Sequence, residues 1–165
     1  MKKENLERLL FAMIKNSKRS DRDLAKNLHI SQPTITRLRK ILEKEAILQY
    51  TAIPRPAYLG FDIVAFTFTR AKDYIQPFWE SKSEWLRSKP SVICATTGQG
   101  MDADATIVTV HRDYADFTRF YHELRTVCGE YCEEFRTFII SLSGSEQVKS
   151  FTYNYLEKAY EKENL

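Results

Sequence analysis

Apolar residues recur at intervals of three and four along the first 45 residues, which is the spacing of helices that bury one face. The first such stripe consists of Leu6, Leu9, Leu10, Met13 and Ile14. The polar run "NSKRS" interrupts it, and Ser20 and Ser31 then each stand where a helix could begin with a capping hydroxyl. A further inward stripe is formed by Ile35, Leu38, Ile41 and Leu42. The pattern therefore predicts three helices before residue 46.

The second and third of these helices have the spacing of a helix-turn-helix pair. Small and apolar residues stand where two such helices would touch, namely at Leu24, Ala25, Leu28, Ile30, Ile35 and Leu38. The turn position that usually holds glycine holds His29. Histidine tolerates a left-handed backbone better than most residues do, although less easily than glycine. We expect His29 to be a strained turn residue rather than a ligand or a catalyst.

The side of the third helix opposite its apolar stripe is polar and basic. Glutamine can bridge an adenine edge, arginine can pair with guanine through two hydrogen bonds, and serine or threonine can reach bases or phosphates. Lys40 and Lys44 can neutralise phosphates. Arg22, near the start of the preceding helix, could contact the DNA backbone. The candidate DNA-binding residues are Arg22, Ser31, Gln32, Pro33, Thr36, Arg37, Lys40 and Lys44. The alternative is a three-helix bundle with a solvated basic face.

A change of pattern follows the third helix. The stretch "ILQYTAI" (residues 47–53) is apolar and β-prone, and it predicts a short strand, or wing. "PRPAYLG" then contains two prolines and a glycine, which disfavour both helix and central strand. We interpret residues 1–52 as a winged helix-turn-helix domain and residues 53–60 as a linker.

The remaining chain alternates strand and helix patterns in the order β-α-β-β-α-β. This order predicts a ferredoxin-like antiparallel sheet over residues 61–142, with both helices on one face, so the fold class is α+β. Several strands are apolar on both faces: Val64, Phe66 and Phe68 share one face, and the last strand has Phe135 and Ile139 opposite Phe138, Ile140 and Leu142. Two helices cover only one face, so we expect a second subunit to cover the other.

A final segment, residues 143–165, predicts an amphipathic helix with Val148, Phe151, Tyr155 and Ala159 on one stripe. We expect it to dock on its own or on a neighbouring subunit.

The helix between the first two strands is expected to contain Phe78, Trp79, Trp85 and Leu86, with Pro77 in its first turn.

Charge divides the chain in the same place as the helix and strand patterns. Of the 25 basic and 22 acidic residues, 13 and 6 lie in residues 1–60, which gives +7 there and −4 in the remainder. A basic amino-terminal third points to a nucleic-acid-facing module. The cysteines Cys94, Cys128 and Cys132 form no disulfide or zinc pattern, so we expect reduced thiols in a cytoplasmic protein. No apolar run is long enough for a membrane span, and no metal or cofactor is expected.

The chain resembles the Lrp/AsnC family of transcriptional regulators. The resemblance is carried by "DLAKNLHISQPTITRLRKILEKEAILQYTAI", "LGFDIV" and "TTGQGMDADATIVTVHRDYADFTRF", and it covers most of residues 5–142. It implies an amino-terminal domain that binds double-stranded DNA and a carboxy-terminal (RAM-type) domain that dimerises through its sheet. It also implies assembly of homodimers into tetramers or octamers, and sensing of an amino acid or related small molecule.

In the family, the loop between the second and third strands of the carboxy-terminal domain helps to form the effector site. The matching residues here are Gly98, Gly100, Met101, Asp102 and Asp104. Glycine allows close backbone approach, and a carboxylate can accept hydrogen bonds from an α-ammonium group. "GQGMDAD" is longer and more acidic than the familiar form, so a tight polar β-turn without an effector is the alternative.

Two rival functions remain open. Siroheme decarboxylases share this architecture, and their chemistry would need basic and acid–base groups, for which the candidates are His111, Arg112, Arg119 and His122. These residues are scattered, and the sequence contains no grouping typical of catalysis. The other rival is an assembly module whose helix-turn-helix no longer binds DNA, against which Gln32, Arg37 and Lys40 argue.

Overall fold

The computed structural model describes residues 2–72, 76–144 and 152–163. The chain divides into two compact units. Unit 1 comprises Met1–Ile53 together with Val148–Leu165, and unit 2 comprises Pro54–Gln147. Within the described ranges, no helix combines the length and the apolar character that crossing a membrane requires.

The described part of unit 1 contains four helices. The first three are α1 (Lys2–Lys15), α2 (Asp21–Leu28) and α3 (Gln32–Glu45), as the apolar spacing predicts. Their buried core consists of Leu9, Ala12, Met13, Leu24, Leu28, Ile35, Leu38 and Leu42. The predicted starts of α2 and α3 are confirmed: Ser20 caps α2 by accepting a hydrogen bond from the Asp23 N–H at 3.1 Å, and Pro33 lies in the first turn of α3.

The expected wing after α3 is absent from the described chain. Residues 47–55 have no strand, and Leu48 is 97% exposed. A strand needs a neighbour to receive its backbone hydrogen bonds, and every strand pairing in the described residues lies within unit 2. The apolar composition of this segment therefore does not produce a strand within this single chain. A short 3₁₀ turn, Pro56–Leu59, follows in the predicted linker.

Unit 2 has the predicted β-α-β-β-α-β order. Its strands are β1 (Ile63–Ala71), β2 (Val92–Gly100), β3 (Ala103–His111) and β4 (Cys132–Ser141), with helices α4 (Gln76–Ser88) and α5 (Tyr114–Cys128) between them. The sheet order is β2-β3-β1-β4, and all three pairings are antiparallel. The α+β fold class is thus confirmed.

The two helices of unit 2 pack on one face of its sheet. Leu86 of α4 and Phe120, Leu124 and Cys128 of α5 are buried with Ile107 of β3. In β1 the side chains that face the helices are buried, whereas the alternating side chains, Val64, Phe66, Phe68 and Arg70, are only half-buried. We call this second side of the sheet the open face.

The register of the sheet places an apolar band across the open face. Val64 lies between Val110 and Ile140, and Phe66 lies between Val108 and Phe138. Phe138 is 63% exposed. The band consists of Val64, Phe66, Val108, Val110, Phe138 and Ile140.

The fourth helix of unit 1, α6 (Leu156–Glu163), starts later than the carboxy-terminal pattern predicts. Val148 and Phe151 lie outside the described residues, and Tyr155 and Ala159 are exposed rather than part of a buried stripe. Pro77 does lie in the first turn of α4, as predicted, while the side chains of Phe78 and Trp79 lie outside the described part of the chain. The three cysteines are free thiols; Cys94 is exposed and the other two are buried.

Candidate DNA-binding and effector sites

The turn between α2 and α3 has the geometry that the sequence predicts. His29 adopts the left-handed conformation, with φ 56° and ψ 43°, and its N–H donates to the Ala25 carbonyl at the end of α2. The Ile30 N–H donates to the same carbonyl at 3.1 Å. The helix therefore ends in the way that glycine usually permits, but with a side chain attached.

The candidate DNA-binding side chains lie on the outside of this helix pair. Seven of the eight are exposed: Arg22, Ser31, Gln32, Pro33, Arg37, Lys40 and Lys44. Within the described parts of the chain, the side chains of Arg22, Gln32, Arg37, Lys40 and Lys44 form no hydrogen bond or ion pair. The hydroxyl of Ser31 lies 2.8 Å from that of Thr34 and does not cap α3. This surface therefore presents unused donors and positive charge to solvent.

Thr36 differs from the other seven candidates. It is half-buried, and its hydroxyl donates to the Asp21 carboxylate at 2.6 Å. The other oxygen of Asp21 accepts a hydrogen bond from Arg39 Nε, also at 2.6 Å, and Arg39 reaches back to the Arg19 carbonyl at 3.1 Å. Asp21 thus holds two consecutive turns of α3 against the beginning of α2.

The contacts of Asp21 lower its pKa, with the hydrogen bond from Thr36 as the largest cause and the charge of Arg39 adding to it. Sequence analysis missed both Asp21 and Arg39. The only available signal was an acidic residue in the first turn of α2 and an arginine at a position of α3 between its buried and exposed faces.

The hairpin that joins β2 to β3 contains the candidate effector residues. Gly98 and Gly100 belong to β2, Gly100 pairs with Ala103, and Met101 and Asp102 form the two-residue turn. Both turn residues have positive φ, 55° and 56°, as in the type I′ turns that favour tight hairpins. The loop is therefore a tight turn, and most of the "GQGMDAD" motif belongs to the strands.

Both carboxylates of this hairpin have partners within the protein. Asp102 pairs with Arg70 of β1 and, at 3.2 Å, with Arg136 of β4, while Asp104 accepts a hydrogen bond from the Ala71 N–H at 2.9 Å. Glu134 completes the group by pairing with Arg136 at 2.7 Å and with Arg70 at 3.3 Å. The carboxylate of Glu134 has a lowered pKa, mainly because Arg136 donates to it.

Sequence analysis missed Arg70, Arg136 and Glu134 because they lie on strands far from the glycine-containing motif. With Phe68 and Ala103, the hairpin charges line one shallow depression on the open face.

The histidine that the enzymatic alternative would need most lies in the core. His111 is 1% exposed, its Nε2 is 2.8 Å from the Thr109 hydroxyl, and its ring contacts those of Phe117 and Phe120. Burial lowers its pKa, although Asp116 at 3.6 Å opposes the shift. Arg112 and Arg119 are exposed, and both bond to the same Asp116 carboxylate, through the Arg112 N–H at 3.2 Å and through the Arg119 guanidinium at 3.0 Å. His122 is exposed on α5. No group of side chains in the described ranges could hold a metal ion.

The geometry on both units defines a class: a helix-turn-helix unit joined to a ferredoxin-like unit. Solved structures of AsnC/Lrp-type transcriptional regulators have this fold. An AsnC family regulator from Agrobacterium tumefaciens superposes with a TM-score of 0.74 at 20% sequence identity, covering 92% of this chain and 97% of its own. AsnC of E. coli superposes with a TM-score of 0.71 at 21% identity, covering 91% of this chain and 97% of its own.

A transcriptional regulator from Neisseria meningitidis, solved as a complex with L-Met, superposes with a TM-score of 0.70 at 17% identity. The alignment covers 90% of this chain and 95% of that protein. No protein-family model matches the sequence. No curated protein matches it either. The resemblance seen in the sequence is thus confirmed at the level of the fold.

Proposed function

We propose that this protein is a transcriptional regulator of the Lrp/AsnC type that binds double-stranded DNA as a homodimer. The observation that carries the proposal is the outer surface of α3. Its exposed arginine, glutamine and lysines have no partners in the described chain, while its inner surface is packed into the core of unit 1. The fold of known regulators supports the same function.

In the proposed complex, the amino-terminal part of α3 enters the major groove. Gln32 and Arg37 read base edges, while Lys40 and Lys44 neutralise phosphates. Ser31, Pro33 and Arg22 line the entry to the groove. Thr36 contributes through its fixed position beside Asp21, because its hydroxyl already has an acceptor in the protein. Two such domains in a dimer would read two half-sites in successive major grooves.

We propose that the homodimer forms through the open face. Its apolar band keeps six side chains exposed or half-exposed that the described helices do not cover, and a second copy offers the same band in return. Dimers of this kind can assemble further into tetramers or octamers through other surfaces.

We further propose that an amino-acid-like effector binds at the hairpin residues Gly98, Gly100, Met101, Asp102 and Asp104. Such a ligand carries both an ammonium and a carboxylate. The ammonium could replace the arginines at Asp102 while the carboxylate pairs with Arg70 or Arg136, so that the charges remain balanced. The Neisseria protein was solved with an amino acid bound, which supports this class of ligand.

The DNA-binding proposal is tested by titrating the protein with the DNA upstream of its own gene at several salt concentrations. Specific binding should weaken steeply with salt because phosphate contacts release counterions. Arg37→Ala should lower affinity for the specific site by about 5- to 150-fold, the value of one bidentate base contact, and affinity for random DNA much less.

The matched control is Arg87→Ala, which removes the same charge from an exposed position on α4 of unit 2. It should leave both affinities nearly unchanged. An equal loss on specific and random DNA for Arg37→Ala would contradict its role as a base reader. Absence of any specific binding by the unmodified protein would contradict the proposed function as a whole.

A further inference from the structure

The carboxy-terminal helix α6 packs against a surface of α1 that the helix-turn-helix core does not use. The Tyr160 ring lies 5.5 Å from the Phe11 ring, and its hydroxyl donates to the Glu7 carboxylate at 2.8 Å. One turn earlier in α6, Glu157 forms an ion pair with Lys15. The contacts run in opposite directions along the two helices, so α6 lies antiparallel to α1.

The three α1 residues that meet α6 form a regular stripe. Glu7, Phe11 and Lys15 are four residues apart, so they lie above one another on one side of the helix. The core-facing residues of α1, Leu9, Ala12 and Met13, lie on another side and are buried by α2 and α3. The helix-turn-helix core is therefore complete without α6, and the stripe is a separate docking surface.

The length of α6 makes its docking and its folding one event. It has eight residues, and isolated helices of fewer than about 12 residues are marginal in water. Its helical state in this chain therefore depends on the contacts with α1. The described contacts are peripheral, since Tyr160 is 39% exposed and Lys15 is 55% exposed. Such an interface can open without disturbing the core.

The course of the chain gives this docking a mechanical consequence. The chain leaves unit 1 after Ile53, forms unit 2, and returns to unit 1 by Val148. Unit 1 thus contains chain from both sides of unit 2, and the carboxy-terminal part is held on α1 only while α6 is docked. We propose that α6 is a reversible latch on the Glu7–Phe11–Lys15 stripe, and that its docking restrains the motion of the helix-turn-helix domain.

The docking half of the proposal is tested by hydrogen–deuterium exchange on the full chain. Tyr160→Ala removes both the ring contact and the hydrogen bond to Glu7, so exchange in α6 should rise by about 3- to 10-fold, as expected for the loss of an aromatic pair. Phe11→Ala removes the same ring contact from α1 and should likewise raise exchange in α6. The matched control is Lys158→Ala, an exposed position on α6, which should leave exchange unchanged. Amides of α2 and α3 should stay protected in every variant.

A charge exchange supplies a second, milder test. Lys15→Glu and Glu157→Lys each place like charges together and should speed exchange in α6 by about 1.5- to 5-fold, the range for an exposed ion pair. The double variant restores opposite charges and should return exchange to that of the unmodified protein. Equal exchange in α6 for the unmodified protein and Tyr160→Ala, or no recovery in the double variant, would overturn docking on this stripe.

The restraint is tested by ¹⁵N relaxation without DNA. In the unmodified protein, α2 and α3 should have rotational correlation times close to those of β1 and β3. In Tyr160→Ala, the correlation times of α2 and α3 should become shorter while those of the strands change little. If exchange shows that α6 is released but the correlation times of α2 and α3 stay the same, the restraining role is wrong. Neither measurement depends on DNA binding, so a failure here is distinct from a failure of the proposed function.

Discussion

The two faces of the unit 2 sheet differ more in what covers them than in their polarity. The face covered by α4 and α5 includes four buried polar side chains: Thr67, Thr69, Thr109 and His111. The open face includes two phenylalanines, three valines and an isoleucine in one continuous band. Both faces thus combine apolar and polar side chains, since the open face also carries Arg70 and Arg136, but the described helices cover only one of the two faces. The hydrophobicity of a strand indicates that it will be buried, but not which element will bury it.

The polar side chains of the covered face are tolerated because most have partners there. The hydroxyls of Thr67 and Thr137 lie 3.0 Å apart across β1 and β4, and the Thr109 hydroxyl lies 2.8 Å from His111. A buried polar group with a partner costs little free energy, whereas an exposed apolar band loses the stabilisation that burial would bring. The contrast therefore supports a second copy of the chain on the open face.

The largest expected effect comes from placing a charge in the centre of the open face. Phe66→Asp would bury a carboxylate in the proposed dimer, at a cost of several kcal/mol. The dissociation constant of the dimer should therefore rise by at least about 100-fold. Analytical ultracentrifugation measures this shift, and circular dichroism checks that the monomer stays folded.

Tyr114→Asp is the control for this substitution, because it replaces an aromatic residue that is 65% exposed on α5. It should leave the association constant unchanged. If the Phe66→Asp protein sediments like the unmodified protein, the open face is not the dimer interface.

A smaller effect is expected on the covered face. Thr67→Val leaves the Thr137 hydroxyl without its partner and should lower the free energy of unfolding by about 1–3 kcal/mol. The double variant Thr67→Val with Thr137→Val removes both polar groups and should recover most of that loss. Urea unfolding followed by tryptophan fluorescence reports on this unit, because both tryptophans belong to α4. Additive losses in the double variant would show that the two hydroxyls do not act as a pair.

The smallest effect concerns pH. Burial lowers the pKa of His111 below the usual 6.5, against the opposing charge of Asp116. Between the lowered folded value and 6.5, the unfolded chain binds more protons than the folded chain, so unit 2 should lose stability as the pH falls below about 6.5. Above about pH 6.5, the full contribution of neutral His111 to the stability of unit 2 is present. Thermal unfolding between pH 5 and pH 8 measures the slope.

His111→Gln should flatten this slope, because glutamine does not titrate, even if it lowers stability overall. The matched control is His122→Gln, which changes an exposed histidine on α5 and should keep the slope of the unmodified protein. An identical slope in His111→Gln would assign the pH dependence to other groups.

Sequence reasoning succeeded where the determining interactions are local. Capping by Ser20 and the left-handed His29 depend on neighbours within a few residues, and the strand order follows from the alternation of patterns along the chain. It failed where partners are distant: Asp21 meets Arg39, Arg70 meets Asp102, and Glu7 meets Tyr160 only after the chain has folded. The wing failed for a related reason, since residues 47–53 are β-prone but strand formation also requires a partner strand.

For the candidate DNA-binding residues, sequence alone identified the exposed surface of α3 because helical periodicity separates its two sides. It could not identify Thr36 as a residue already engaged within the protein, because that contact is made across the turn by Asp21. At the hairpin, the local sequence predicted the acidic side chains. It did not predict the two arginines that neutralise Asp102, because they lie on other strands.

The position of β1 in the sheet has a consequence for the order in which this protein is completed during synthesis. β1 is central, yet both of its neighbours, β3 and β4, come later in the chain, and β4 ends at Ser141. The sheet therefore cannot close until most of the chain has left the ribosome, whereas α1, α2 and α3 can pack within the first 45 residues. A nascent chain would carry a folded helix-turn-helix domain well before it could pair with a second copy, and α6 would reach α1 last of all.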